Sequence, residues 1–108
     1  MSNGWYGVDL DGTLAEYGTS HQPGQIGKPI PKMVERVKQW LAEGKDVRIF
    51  TARANDGNLT RRAIAAWCIY HLGKELPITA TKDYDMIELW DDRAVQVVPN
   101  TGERADGK

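Results

Sequence analysis

Residues 6–14 read Tyr-Gly-Val-Asp-Leu-Asp-Gly-Thr-Leu, and this stretch decides the fold. The run up to Leu10 is short and mostly apolar, as in a buried β-strand, and the turn-forming pair Asp11-Gly12 ends it. Asp9 and Asp11 are two residues apart, a spacing that places both side chains on one face of an extended chain. Because a carboxylate inside an apolar strand is costly to bury without a partner or a metal ion, Asp9 predicts a functional site.

Outward from this strand, the chain alternates between helical and strand patterns. Apolar residues at three- and four-residue spacing predict a helix from Pro31 to a stop at Gly44, and residues 59–72 predict a second, more apolar helix. Further strands are predicted at residues 46–50, 77–80, 86–90 and 94–98. This order predicts the α/β class: a Rossmann-like, doubly wound domain whose mostly parallel five-stranded sheet is covered on both faces.

The length of the chain limits it to one domain. Its 108 residues, 41% of them apolar and 27% charged, suffice for one hydrophobic core and argue against disorder. We expect the domain to span residues 1–98, with a glycine- and proline-rich flap at residues 15–30 and a flexible tail at residues 99–108.

Composition excludes several classes of protein. A net charge of -1 gives no reason to expect nucleic-acid binding by basicity alone. We also expect no membrane span, because no apolar run approaches about 18 residues, and no signal peptide, because the first residues lack its pattern. The single cysteine, Cys68, excludes an internal disulfide and is expected in the core. The prediction is a soluble, cytoplasmic protein.

Polar side chains follow four of the predicted strands, at the edge where a parallel sheet binds its ligands. The carboxylates among them suit a hard cation such as Mg²⁺, whereas threonine and lysine suit phosphate oxygens. In chain order these residues are Asp9, Asp11, Thr13, Thr51, Arg53, Lys82, Asp91 and Asp92.

Two carboxylates this close can divide the work of hydrolysing a phosphate ester. One can attack phosphorus and form an aspartyl-phosphate, while the other protonates the leaving oxygen and then deprotonates water. Gly12 would allow the backbone to approach the phosphate closely. A metal ion would reduce the repulsion between the anionic substrate and the anionic nucleophile.

The stretch VDLDGTL, Val8 to Leu14, resembles the first motif of the haloacid dehalogenase superfamily of phosphohydrolases. The resemblance covers residues 6–98 and implies that Asp9 is the nucleophile and Asp11 the general acid/base. It also places Gly12 and Thr13 among the substrate-binding residues, and the backbone carbonyl of Asp11 on the magnesium ion.

Two later segments are similar to the second and third motifs of that family. Thr51, in the segment Thr51-Ala52-Arg53, matches a Ser or Thr that hydrogen-bonds the transferring phosphoryl group, and Ala52 is expected to contact substrate beside it. Arg53 either binds the substrate phosphate or pairs with a carboxylate. Lys82 matches a lysine that steadies the nucleophile and the phosphate.

The pair Asp91-Asp92 looks like the two-aspartate form of the family's fourth motif. Asp92 is the stronger candidate for a metal ligand, whereas Asp91 either binds the metal or pairs with Lys82. The resemblance therefore implies a magnesium site formed by Asp9, Asp11, Asp91 and Asp92.

The sequence leaves no room for the large cap domain of many relatives, because only residues 15–30 separate the first motif from the first helix. We expect an open site that takes a phosphorylated small molecule, a nucleic-acid end or a phosphoprotein. The Thr-x-Arg pattern at Thr51 is similar to that of polynucleotide phosphatases, which makes a polynucleotide or nucleotide phosphatase the more specific hypothesis.

Two alternatives come from other functional classes. The first is a phospho-acceptor or phosphate-binding module that resembles a receiver domain, although the acidic pair of receivers precedes the acceptor and here it comes last. The second is a structural protein that forms a homodimer through the apolar helix at residues 63–72.

Overall fold

A computed structural model describes residues 4–18 and 25–107. These residues form an α/β domain with a four-stranded, entirely parallel sheet and two α-helices. The strands run in the order β3-β2-β1-β4. The elements are β1 (Trp5–Val8), α1 (Pro31–Ala42), β2 (Asp46–Phe50), α2 (Asn58–Leu72), β3 (Ile78–Thr79) and β4 (Met86–Trp90), with a short 3-10 turn at Ala52–Asn55.

Helix α1 confirms the prediction made from its apolar spacing. Pro31 begins it, and the extended backbone of Ile30 precedes it, an arrangement that suits the fixed φ of proline at a first helical position. Met33, Val34 and Val37 are its buried residues, and they pack in the same core cluster as the inner face of the sheet.

Helix α2 is covered on one side, whereas its sequence indicates cover on more than one. Its buried residues recur at three- and four-residue spacing, and they include Ile64 and the predicted core residue Cys68. Ile69 and Tyr70, on the other side, are 52% and 82% exposed. That exposed side is where the predicted homodimer contact would form.

The two helices contact each other and share one core cluster, so they lie on the same face of the sheet. The prediction of a doubly wound sheet covered by helices on both faces is therefore wrong for the described residues. The reason is the connection from β3 to β4, which crosses from one edge of the sheet to the other in only six residues, 80–85. No helix fits in it, and Asp83 within it accepts a 2.8 Å hydrogen bond from Nε1 of the buried Trp5.

The predicted fifth strand at residues 94–98 does not form. Immediately after β4, Oδ1 of Asp91 accepts hydrogen bonds from the backbone N–H groups of Arg93 and Ala94, and this local turn redirects the chain. Val97 instead forms an isolated antiparallel bridge with Arg104. Part of the predicted flexible tail therefore forms a turn closed by this bridge. Because no fifth strand among the described residues pairs with β4, β4 is an edge strand of the sheet.

The flap has an ordered base. Ala15 and Pro29 form an antiparallel bridge, and the N–H of Glu16 donates to the carbonyl of Lys28 at 2.8 Å. The middle of the flap, residues 19–24, lies outside the described residues. No helix among the described residues combines the length and the apolar character that a membrane crossing requires.

Candidate functional site

The candidate site lies at the carboxyl ends of β1, β2 and β4. From β1 the chain continues to β2 and β3 on one side of the sheet and to β4 on the other. Ligands of parallel sheets usually bind at such a switch in strand order. A cleft of about 640 Å³ opens here. Its lining consists of Asp9, Asp11, Tyr17, Phe50, Thr51, Ala52, Arg53, Asn55, Asp56, Ala80, Asp91, Asp92 and Arg93.

Three of the predicted metal ligands come together in this cleft. Asp9, Asp91 and Asp92 each offer a carboxylate oxygen, and these oxygens lie within 4.8 Å of one another. The hydroxyl of Thr13 donates to Oδ1 of Asp92 at 3.2 Å and lies 3.5 Å from Oδ2 of Asp9. Thr13 therefore ties the loop after β1 to the loop after β4.

The pKa of Asp9 is raised to about 7 from its ordinary value of 3.8. Burial is the main cause, since it disfavours the charged form, and a hydrogen bond with Asp92 is the second. The negative charges of Asp91 and Asp92 add to the effect. The cluster therefore holds more negative charge than it can stabilise by itself, and a bound cation would relieve it.

Gly12 is required by the approach of Asp92. Its φ is +91°, and a Cβ at this position would lie 2.6 Å from Oδ2 of Asp92. The predicted close approach of the backbone at Gly12 is thus present, but the group it admits is a carboxylate of the protein itself.

Asp11 is held away from the three-carboxylate cluster by Arg53. Nε and Nη2 of Arg53 donate to the two carboxylate oxygens of Asp11 at 2.8 and 2.9 Å. The arginine is 5% exposed, and its Nη1 donates to the carbonyl of Gln25 in the flap. Of the two roles expected for Arg53, pairing with a carboxylate is the one observed, and the carboxylate of Asp11 is not part of the metal cluster.

Thr51 and Ala52 reach the cleft at the end of β2, as the second motif predicts. Thr51 is 3% exposed, and its hydroxyl oxygen accepts a 3.2 Å hydrogen bond from the N–H of Arg53, which begins the 3-10 turn. That contact uses the oxygen as an acceptor, so the hydroxyl proton can still be donated to a ligand.

Lys82 is not brought to the cleft. It is exposed in the connection that crosses the sheet, and it is absent from the residues that line the cavity. Within the described residues it pairs with no carboxylate, and Asp91 is instead bound by the backbone of residues 93 and 94. The expected lysine contact with nucleophile and phosphate therefore has no counterpart in this geometry.

Arg93 lines the cleft and was missed by sequence reasoning. Its position in the sequence could have indicated it, because it directly follows the acidic pair at the end of β4. Tyr17, on the flap, also lines the cleft.

The donor set fits a magnesium ion. Mg²⁺ prefers carboxylate oxygens and keeps several of its waters, so three carboxylates at an open cleft are a suitable partial shell. Asp9 and Asp91 are half-buried and Asp92 is exposed, which leaves one side of the cluster accessible to water and substrate. Asp9, Asp91 and Asp92 are the residues that would hold the ion.

Comparison with known proteins supports the fold and no activity. No protein-family model matches the chain, and a search of curated proteins gave no match. Among solved structures, the chain is similar to a conserved protein coded by a locus of Bacteroides thetaiotaomicron. The two are 26% identical, the match covers 92% of this chain and 84% of that one, and the TM-score is 0.63. This similarity supports the α/β architecture across the domain.

Proposed function

We propose that this protein is a magnesium-dependent phosphatase that hydrolyses a phosphate monoester through an aspartyl-phosphate on Asp9. One observation carries the proposal: Asp9 belongs both to the three-carboxylate cluster and to the lining of the open cleft. A carboxylate in that position can face a bound cation with one oxygen and a phosphorus atom with the other.

The proposed reaction has two steps. In the first, a carboxylate oxygen of Asp9 bonds to phosphorus, the ester P–O bond breaks, and the leaving oxygen takes a proton from Asp11, which must have turned from Arg53 and taken up a proton before this step. In the second, Asp11 takes a proton from a water molecule whose oxygen bonds to phosphorus. The aspartyl P–O bond then breaks, which releases inorganic phosphate and restores both carboxyl groups.

Three neighbouring side chains support these steps. The Thr13 hydroxyl, between Asp9 and Asp92, orients the nucleophile. The hydroxyl of Thr51 can donate to an oxygen of the transferring phosphoryl group. Arg53 holds Asp11 at the cleft through two hydrogen bonds, and one of these must open before Asp11 can transfer a proton. Magnesium, when bound, would supply the positive charge that lets an anionic nucleophile approach an anionic ester.

The open cleft favours no single substrate size. Ala52 and Tyr17 lie on its rim, both exposed, and an aromatic ring there suits a substrate with a flat apolar group. A phosphorylated small molecule, a nucleotide or nucleic-acid end, and a phosphoprotein all remain substrate hypotheses.

One observation favours a second candidate function, a phospho-acceptor that turns over slowly. Both oxygens of Asp11 are engaged by Arg53. If that pair persists in the phosphorylated protein, Asp11 is a poor base toward water and the aspartyl-phosphate is long-lived. Incubation with a small phosphate donor such as acetyl phosphate, followed by mass measurement over time, separates the two functions.

The test of the main proposal is phosphate release from an aryl phosphate, with Mg²⁺ and with excess chelator, using Asp9→Asn as the blank. We expect release that requires both the metal ion and Asp9, together with a transient phosphoryl adduct in the wild type. Equal release by Asp9→Asn would contradict the proposal. A stable adduct without release would favour the phospho-acceptor.

A further inference from the structure

We infer that Arg93 is the cationic side chain that binds the phosphoryl oxygens in the cleft beside Asp9. The inference rests on the proposed function for the identity of the ligand, and it assigns that ligand a side chain which neither the sequence motifs nor their resemblance indicated.

The first argument is the balance of charge in the cleft. Five of its lining residues are carboxylates, at positions 9, 11, 56, 91 and 92, and two are arginines. A phosphate monoester adds further negative charge. Even with a divalent cation in the cluster, the cleft needs a cationic side chain that can turn to the substrate.

The second argument is how the available cations are used. Arg53 is buried, with its guanidinium directed at Asp11 and at the carbonyl of Gln25. Lys82 lies outside the lining of the cleft. Arg93 is exposed within the lining, and its guanidinium makes no hydrogen bond or ion pair with any other described residue. Of these three, Arg93 is the side chain that can bind a ligand without giving up a structural contact.

The third argument is that the backbone of Arg93 is anchored. Its N–H donates to Oδ1 of Asp91 at 2.7 Å, one residue beyond the metal cluster. The side chain therefore starts from a fixed point beside the carboxylates, and its guanidinium is exposed to the cleft. A guanidinium has a planar set of donors that matches two oxygens of a phosphate, which a lysine cannot do.

The experiment measures binding of inorganic phosphate by calorimetry in saturating Mg²⁺, so it does not depend on turnover. The variants are Arg93→Gln, Arg93→Lys, Lys82→Gln and, as a matched control, Arg62→Gln, which replaces an exposed arginine on α2 outside the cleft. We expect Arg93→Gln to weaken phosphate binding about 10-fold, the scale of one charge-assisted hydrogen bond at an exposed site. Arg93→Lys should lose less, and Arg62→Gln should match the wild type.

Three results would overturn the inference: phosphate binding by Arg93→Gln within about twofold of wild type, a loss confined to Lys82→Gln, or no phosphate binding by the wild type. An unchanged shift of the melting temperature by Mg²⁺ in Arg93→Gln shows that the metal cluster is intact. Turnover of an aryl phosphate, assayed separately, keeps the two proposals distinguishable. If Arg93→Gln turns over the aryl phosphate as fast as the wild type, this inference alone is overturned. If phosphate binding depends on Arg93 but the wild type shows no turnover, the phosphatase proposal is contradicted and the phosphate site is supported.

Discussion

The two ends of the β-sheet carry hollows of similar size and very different charge. The carboxyl end has the cleft of about 640 Å³ with Asp9, whereas the amino end has one of about 770 Å³ beside Tyr6. Charges at the amino end are compensated: Asp46 is paired with Arg48 at 2.9 Å, and Lys45 lies near Glu43 and over the Tyr6 ring.

At the carboxyl end, three carboxylates lie within 4.8 Å of one another and the pKa of Asp9 is raised. A protein gains no stability from such an arrangement by itself, because like charges repel. Uncompensated charge, more than cavity size, therefore makes the carboxyl end of this sheet the candidate functional site. Three pairs of substitutions test this contrast, each with one change at the carboxyl end and a matched change elsewhere, and a pH profile tests the charge of Asp9 itself.

The largest expected effect is on turnover. Replacing Asp9 by Asn removes the proposed nucleophile and should lower kcat by at least about 10⁴-fold, the scale seen when a residue of a covalent mechanism is lost. Asp46→Asn changes a carboxylate at the amino end and should leave kcat within about twofold. Steady-state hydrolysis of an aryl phosphate in Mg²⁺ measures both. Equal losses in the two variants would remove the functional distinction between the ends.

The next effect concerns the two arginine-aspartate pairs. The side chains of Arg53 and Asp11 are 6% and 18% exposed, whereas those of Arg48 and Asp46 are 31% and 29% exposed. Arg53→Gln leaves a largely buried carboxylate unpaired and should lower the free energy of unfolding by about 3 kcal/mol. Arg48→Gln should cost about 1 kcal/mol or less. Urea titrations of both variants provide the comparison, and similar midpoints would show that the buried pair has no special role.

Two glycines sharpen the contrast in packing. Gly12 and Gly44 have φ values of +91° and +81°, but a Cβ meets Asp92 at Gly12 and nothing within 4 Å at Gly44. In both Ala variants, backbone strain should lower the free energy of unfolding by about 1 kcal/mol. Only Gly12→Ala should also displace Asp92 and weaken Mg²⁺ binding, measured by calorimetry. Normal Mg²⁺ affinity in Gly12→Ala would mean that the position of Asp92 is not critical.

The smallest expected effect is on the pH dependence of stability. The folded-state pKa of Asp9, about 7, is above its ordinary value of 3.8, so between these values the folded state holds a proton that the unfolded state has released. Stability from this group therefore falls as pH rises from about 4 to 7 and stays low above 7.

Asp9 is only half-buried, so solvent screening reduces the size of this effect. We expect the metal-free protein to melt about 5 °C lower at pH 8 than at pH 5.5 because of Asp9. The difference should shrink in Asp9→Asn, and Mg²⁺ should restore much of it in the wild type. Parallel pH profiles of the metal-free wild type and the variant would contradict the raised pKa.

Local patterns in the sequence were enough to locate most of the elements. Helix α1 begins at Pro31 and β2 spans Asp46–Phe50 as predicted, because apolar spacing and turn residues act over a few neighbouring positions. The same reasoning placed Asp9, Thr51 and Asp91 at strand ends, and parallel strands then bring those ends to one edge.

The fifth strand was predicted wrongly because its sequence meets a competing interaction. Residues 94–98 have the composition of a strand, yet the carboxylate of Asp91 binds the backbone of Arg93 and Ala94 and turns the chain before it can pair with β4. Side chains of this kind compete with a sheet for backbone N–H groups. Periodicity alone does not detect that competition.

By itself, then, the sequence determined the α/β class, the order of its elements and the carboxylates that meet at one edge. Tertiary structure alone decided which side chains contact each other and which reach the cleft. It pairs Arg53 with Asp11, places Arg93 in the lining of the cleft and leaves Lys82 outside that lining. The physical reason is the separation along the chain of the residues that interact. Strand and helix patterns depend on residues a few positions apart, whereas an ion pair between residues 11 and 53 depends on which strands become neighbours and how the chain leaves them.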